Sequence, residues 1–252
     1  MKASEYTNRL RNGVALCPVR DICPLAFMCG VQLNGDRYAL PSIGKVGYHE
    51  MLWTDLEGRR RVYAIRSGLF TIKSFANNGT EIPSGLCPPG STGGIPDVYT
   101  SYSASSFYFF SALIPAEVCA FDGDLVKEQF NALGAPKAQE KLALLLLNHN
   151  TTMFSQTLTL RHQRARERVV SVLLRLETAL MRQNSFDGSL PLSHDDIAFL
   201  AGTERATTSK ELKDLANQGF IELKYRRIQV LPALRQTYGD TIEANLPLYL
   251  EE

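Results

Sequence analysis

The sequence predicts an α+β chain in three parts. These are a β-rich N-terminal domain over residues 1–124, connecting helices over 125–161, and a small helical domain closed by a hairpin over 162–252. Three observations predict it. Between Val31 and Asp122, short runs of β-branched and aromatic residues alternate with turn residues. From Lys137 to about Leu160 the apolar residues keep helical spacing. Finally, LPLSHDDIAFLAGTERATTSKELKDLANQGFIELKYRRIQVL, residues 190–231, reads as helix, glycine turn, helix and hairpin.

Residues 1–30 carry Cys17, Cys23 and Cys29 at C-x5-C-x5-C spacing, with a proline directly after each of the first two. Proline removes a backbone donor and disfavours helix in the residue before it, so this segment reads as a loop wrapped around something. Three cysteines within thirteen residues of irregular chain exceed what ordinary buried thiols explain. Five cysteines without a secretory leader point to metal or redox chemistry and not to a disulfide framework.

The β-rich part contains strands at 61–66, 69–75 and 107–113, with Asn77-Asn78-Gly79 as a hairpin turn because these residues tolerate positive φ. Residues 124–133 read as a short helix broken by Gly134-Ala135-Pro136. On the long helix that follows, Leu142, Leu146, His149, Met153, Gln156 and Leu160 alternate four and three apart, as an interhelical seam requires. Taken alone, such a stripe is more often intramolecular core.

A helix over 162–182 opens the last domain. Ser193 is then an N-cap with Asp196 in capping-box position, and Gly202 breaks the first short helix. The second helix, about 204–217, turns Leu212 and Leu215 inward and aims Arg205, Ser209, Lys210 and Lys213 the other way. Gly219 ends it, and strands at 221–225 and 227–231 meet at Arg226 and Arg227. This order is that of a winged helix-turn-helix. A helix pair used only for packing has no reason to present four polar and basic residues together.

The segments LPLSHDDIAFLAGT, TSKELKDLANQGFIEL and RIQVL closely resemble the C-terminal DNA-binding domain of the CRP/FNR family. VYAIRSGLFTIKSFANNGTEI and LCPPGSTGGI resemble that family's sensor domain, a cyclic-nucleotide-binding-like β-roll (double-stranded jelly-roll), with Gly68 at its inter-strand glycine. The resemblance implies a cytoplasmic homodimer in which the long helix pairs with its twin along Leu142, Leu146, His149, Met153 and Leu160. It also implies double-stranded DNA with a near-palindromic operator, and RNA polymerase, as partners. Arg205, Ala206, Ser209 and Lys210 would face base edges. Thr203, Thr207, Thr208, Lys213, Arg226 and Arg227 would lie along the backbone. Ala206 stands where the family commonly has a glutamate, so a changed half-site is expected.

The sensor departs from the cAMP-binding pattern. No arginine or lysine occurs between Lys73 and Lys127, and a buried cyclic phosphate without a cation would be poorly compensated, which excludes cAMP. In the family's oxygen-sensing branch a fourth cysteine lies on the last roll strand, where this chain has Cys119 in AEVCAFDGDLV. The Cys23–Cys29 spacing matches that branch too. Arg20 stands where its first ligand would be, and Cys17 lies further back, within reach of a longer loop. A [4Fe-4S] cluster on Cys17, Cys23, Cys29 and Cys119, with Cys87 as a spare, is one reading. Thiol–disulfide sensing, haem on His149, and a small-molecule pocket lined by Tyr99, Tyr102, Phe107 and Tyr108 are the others.

Composition bounds the remaining classes. Net charge is only +1, but residues 161–231 hold 12 basic and 9 acidic residues, with Arg161, Arg164, Arg166 and Arg168 clustered. Phosphate neutralisation needs a basic face, not a basic chain. No apolar run reaches membrane-spanning length, and no P-loop, H-E-x-x-H or G-x-S-x-G supports an enzyme. A cluster-binding module with a vestigial helix-turn-helix is the competing non-enzymatic class. Residues 236–252 read as a polar tail.

Overall fold

The computed structural model describes residues 17–31, 39–56, 59–100, 108–162, 164–181 and 186–239. Its N-terminal part is an antiparallel roll built from β1 (Ser42–Val46), β2 (Met51–Leu52), β3 (Asp55–Leu56), β4 (Arg59–Phe75), β5 (Glu81–Cys87), β6 (Thr92–Gly93) and β7 (Tyr108–Asp122). A short helix α1 (Ile95–Tyr99) follows β6.

The two expected strands at 61–66 and 69–75 are one strand. β4 runs unbroken through Gly68, and its register against β7 shifts three times between Ile65 and Phe70. Gly68 has φ 81°, and a Cβ there would lie 2.6 Å from the Pro115 carbonyl oxygen. The bulges bend the strand where a sequence reader sees a break. Pro115 sits in the same irregular stretch of β7, where its missing N–H leaves no regular ladder bond unmade. β7 therefore continues to Asp122 and does not end near Leu113.

The Asp122 carboxylate caps α2 (Gly123–Ala132) by accepting from the Asp124 and Leu125 amides. The long helix α3 (Ala135–Arg161) follows, with Pro136 in its first turn. Its 27 residues span about 40 Å.

α4 (Ala165–Met181) is the spine of the last domain, with Val169, Leu173, Leu176 and Leu180 buried. Against it pack α5 (His194–Ala201) and α6 (Arg205–Asn217), then the sheet β8 (Ser189–Leu190), β10 (Arg227–Val230) and β9 (Ile221–Lys224). The same apolar cluster includes Leu69, Leu86 and Leu113 of the roll, so the two cores are continuous.

A last helix, α7 (Pro232–Tyr238), occupies part of the stretch expected to be tail. Leu234 is buried and Tyr238 meets the Phe220 ring edge-on at 5.6 Å. Its seven residues are too few to show a helical period. No described helix is long and apolar enough to cross a membrane.

Candidate nucleic-acid interface and sensor cavity

The helix-turn-helix is held by its caps. The Ser193 Oγ accepts from the Asp196 amide, and the Asp196 carboxylate accepts from the Ser193 amide at 2.8 Å, a complete capping box. Gly202, at φ 57°, closes α5 in the left-handed region. At the end of α6 the Phe220 amide donates to the Leu215 carbonyl and the Gly219 amide to the Ala216 carbonyl, both at 3.0 Å, a Schellman motif.

These caps fix which face of α6 is open. Arg205, Ala206, Lys210 and Lys213 are exposed, while Thr203, Thr207 and Ser209 are half-buried. Thr208 corrects the sequence reading. It is fully buried and its hydroxyl pairs with that of Thr203 at 2.6 Å, so it orders the turn and does not reach a phosphate. Arg205 pairs with Asp195 at 3.2 Å, and Ser209 Oγ lies 3.0 Å from His194 Nδ1. The exposed Arg205 pair holds little free energy and is readily exchanged for another partner.

At the wing, Arg226 has φ 52° and places its guanidinium over the Tyr48 ring of the roll, 5.9 Å from the centroid. Arg227 reaches Asp187 at 3.4 Å. Tyr225, at the same turn, is 90% exposed. The clustered arginines at the start of α4 are not all free to meet DNA. Arg166 instead donates to Gln218 and Tyr238, and Arg168 to the carbonyls of Ala201 and His162, so both tie the domain together.

The roll contributes a second contact. Tyr48 Oη donates to Asp196 Oδ2 at 2.5 Å, and His49 Nε2 lies 3.4 Å from Asp196 Oδ1. The carboxylate that caps α5 is therefore also held by the β1–β2 turn. Nothing in the local sequence signals this contact, which joins residues 148 positions apart.

The four expected cluster cysteines converge. Cys17, Cys23, Cys29 and Cys119 line one pocket, with Arg20 and Arg66 and otherwise apolar walls that include Ile43, Ala64 and Phe121. Cys119 arrives on β7 opposite Ala64, and Cys23 and Cys29 flank the 3-10 turn Ala26–Met28. Cys87 does not join them. It is buried on β5 with Phe70 and Ile72 and lines a separate pocket with His149. The spare-ligand role is thereby removed.

Burial pushes the thiols of Cys23 and Cys119 up to about 12 and that of Cys29 to about 11. Such thiols stay protonated and poorly nucleophilic at neutral pH, which disfavours thiol–disulfide sensing, whereas bound metal would deprotonate them. Among the described residues no three His, Cys, Asp or Glu side chains converge as a single ion requires.

Two members of the expected aromatic box are described. Tyr99 packs edge-on against Phe130, while Tyr108 packs against Phe110 and His149. Neither lines the cavity beside α3, and Tyr102 and Phe107 lie outside the described residues.

Within one protomer, the residues of the expected α3 seam divide between the core and the surface. Leu142 packs into the cluster around Phe130, His149 against Tyr108, and Met153 against the roll core. Gln156 is buried, donating to the Leu200 carbonyl at 2.8 Å and accepting from Arg175. Leu146 and Leu160 remain exposed at the margins. The open stripe is Ala143, Leu147, Asn150, Phe154, Thr157 and Arg161.

A capped helix-turn-helix with an open polar and basic face and a wing, joined to an antiparallel roll, is the architecture of a DNA-binding regulator. Residues 167–237 match the Crp-like helix-turn-helix domain. The chain is 27% identical over 176 residues to a global nitrogen regulator of Nostoc sp., covering 68% of this chain and 76% of that protein. It is 26% identical over 174 residues to the transcriptional regulator SdrP of Thermus thermophilus, covering 69% and 80%. FixK2 from Bradyrhizobium japonicum shares the fold at TM-score 0.64 and 21% identity, over 80% of this chain and 96% of that one. A CRP-family regulator from Thermus thermophilus, TTHB099, does so at TM-score 0.63 and 22% identity, over 80% and 99%. Residues 167–237 are thus a Crp-like helix-turn-helix domain, and the chain resembles CRP/FNR-family transcriptional regulators in sequence and in fold.

Proposed function

We propose that this regulator is a homodimer that reads a near-palindromic operator and is controlled by a [4Fe-4S] cluster in its roll. The observation that carries the sensor reading is the convergence of Cys17, Cys23, Cys29 and Cys119 on one cavity. Four thiols suit such a cluster, and the apolar side chains around them give it a largely non-polar surround. When bound, the cluster supplies a change of charge or integrity in response to oxygen or redox state. This chain's part is to present four sulfurs and to carry their rearrangement through Cys119 into β7.

In the same reading Arg205, Ala206, Ser209 and Lys210 face base edges in the major groove. Thr203, Thr207, Lys213, Arg226 and Arg227 hold the backbone, and RNA polymerase is the protein partner once the dimer is seated.

Protein prepared without oxygen is expected to show a broad visible charge-transfer band and to contain iron and sulfide. Cys119→Ser is expected to lose both while keeping its far-ultraviolet circular dichroism. A colourless, iron-free wild type would move the sensor to another ligand and leave the DNA-binding reading standing. That reading has its own test, a comparison of operator and random duplex in salt-matched titrations. Lys210→Ala is expected to weaken the operator complex by ~1–3 kcal/mol more than the random one. Equal losses would make Lys210 a backbone contact.

A further inference from the structure

Arg66 stands out on the wall of the four-cysteine cavity. The β4 register shifts between Ile65 and Ser67, so Arg66 sits in a bulge, a device that re-aims a side chain. Its Nε is buried and has no hydrogen-bond partner among the described residues. A guanidinium donor left unmatched among apolar walls is costly unless an anion shares the space. Its charge also favours the thiolate forms of Cys29 and Cys119, the two sulfurs it acts on most directly.

We infer that Arg66 is the fixed counter-charge of the group held by the four cysteines, and that it sets the reduction potential of that group. This rests on the cluster reading above. A cluster held by four thiolates is doubly negative when oxidised, and taking up one electron adds a further negative charge. A neighbouring cation favours the reduced form. Removing it makes reduction harder.

The test is a dithionite titration of anaerobically reconstituted protein, followed by electron paramagnetic resonance, with iron and sulfide assayed on the same samples. Arg66→Met is expected to shift the one-electron equilibrium about tenfold towards the oxidised form, about 59 mV more negative. Arg66→Lys, which keeps the charge, is expected to restore most of that shift. Arg66→Gln serves in place of the Met variant if that variant does not fold. An uncharged variant with wild-type potential and wild-type iron content would overturn the role of Arg66 alone. A wild type that takes up no iron would overturn the cluster reading, and this inference with it.

A second, independent observation concerns the β1–β2 turn. Tyr48 donates to Asp196 and His49 lies against the same carboxylate, while the Tyr48 ring carries Arg226. The sensor thus grips the cap of α5 and one of the wing's proposed phosphate contacts at once. We propose that this turn is an autoinhibitory latch that must release Arg226 before DNA is bound. Tyr48→Phe keeps the ring and loses the bond to a carboxylate, a bond strong enough to shift a docked-to-free equilibrium about tenfold or more. Operator affinity measured without any signal is expected to rise by up to that factor. An affinity that stays the same or falls would overturn the latch, since a purely structural loss can only weaken binding.

Discussion

Gly68→Ala is expected to be among the most damaging single substitutions in the sensor domain. Two costs combine. Holding an L-residue in the left-handed region costs ~1–2 kcal/mol. The added Cβ would also lie 2.5 Å from the Ala116 Cβ, 2.6 Å from the Pro115 carbonyl oxygen and 2.7 Å from the Ala116 Cα, and backbone cannot swing aside as a side chain can. Overpacking of that kind adds ~1–3 kcal/mol. The sum is a large fraction of a stability of about 5–15 kcal/mol. Gly79→Ala is the matched control. It has the same φ of 81°, but nothing lies within 4 Å of the added Cβ, so only the conformational cost applies. Denaturant titration should show a much larger fall in midpoint for Gly68→Ala than for Gly79→Ala, with similar slopes. Equal falls would mean that β4 and β7 can separate at the bulge, and that the tight crossing does not hold the roll.

The contrast between these two glycines shows what a sequence displays. Gly79 sits in Asn77-Asn78-Gly79, a local signal, and the hairpin forms there, with the Ala76 amide donating to the Thr80 carbonyl. Gly68 resembles a break because its reason lies across the sheet in Pro115 and Ala116. The same division runs through the winged domain. Ser193, Asp196, Gly202 and Gly219 act within a few residues of themselves, so the caps of α5 and α6 were legible to within a residue or two. Thr208 was misread because its partner Thr203 turns its hydroxyl inward across a bend. Arg66 and Tyr48 gave no signal at all. Each gains its surroundings only when a roll strand or turn is laid against a distant segment.

The cysteines are the instructive middle case. Cys23 and Cys29 stand close in sequence, and their spacing by itself suggests a shared task. Cys119 joins them only through the pairing of β4 with β7, which brings Ala64 opposite Cys119. The resemblance supplied that long-range link before any fold was known. Cys87 looked equally available, but β5 carries it to the other side of the sheet core, beside α3.

On the long helix α3, spacing does not by itself select one inward face. Leu142 and the run Leu144–Leu147 surround the helix with apolar side chains, so spacing alone fits more than one seam. The polar residues Thr152, Ser155, Gln156 and Thr159 then suggest a solvent face but are buried, Thr159 meeting Ser171 and Gln156 meeting Arg175. At Gln156 and Thr159, hydrogen bonding to α4 and not apolarity selects the inward face. What remains open is the stripe with Leu147, 54% exposed, and Phe154, 61% exposed. In the proposed dimer two such stripes pair about a twofold axis, so each residue is buried twice. Burying a Leu or Phe side chain is worth about 1.5–3 kcal/mol, and its loss on both helices doubles that. Phe154→Glu is therefore expected to raise the dimer dissociation constant by more than about a hundredfold, since each 1.4 kcal/mol is tenfold. Because the side chain is exposed within one protomer, the folded monomer should persist. Light scattering across a dilution series would show it as a monomer, and operator binding should fall with it, because two half-sites must be engaged together. Leu142→Ala should do the opposite, lowering the unfolding midpoint while leaving the dimer intact. If Phe154→Glu stays dimeric and Leu142→Ala does not, the pairing follows the seam read from spacing, and the polar face against α4 would have to open to allow it.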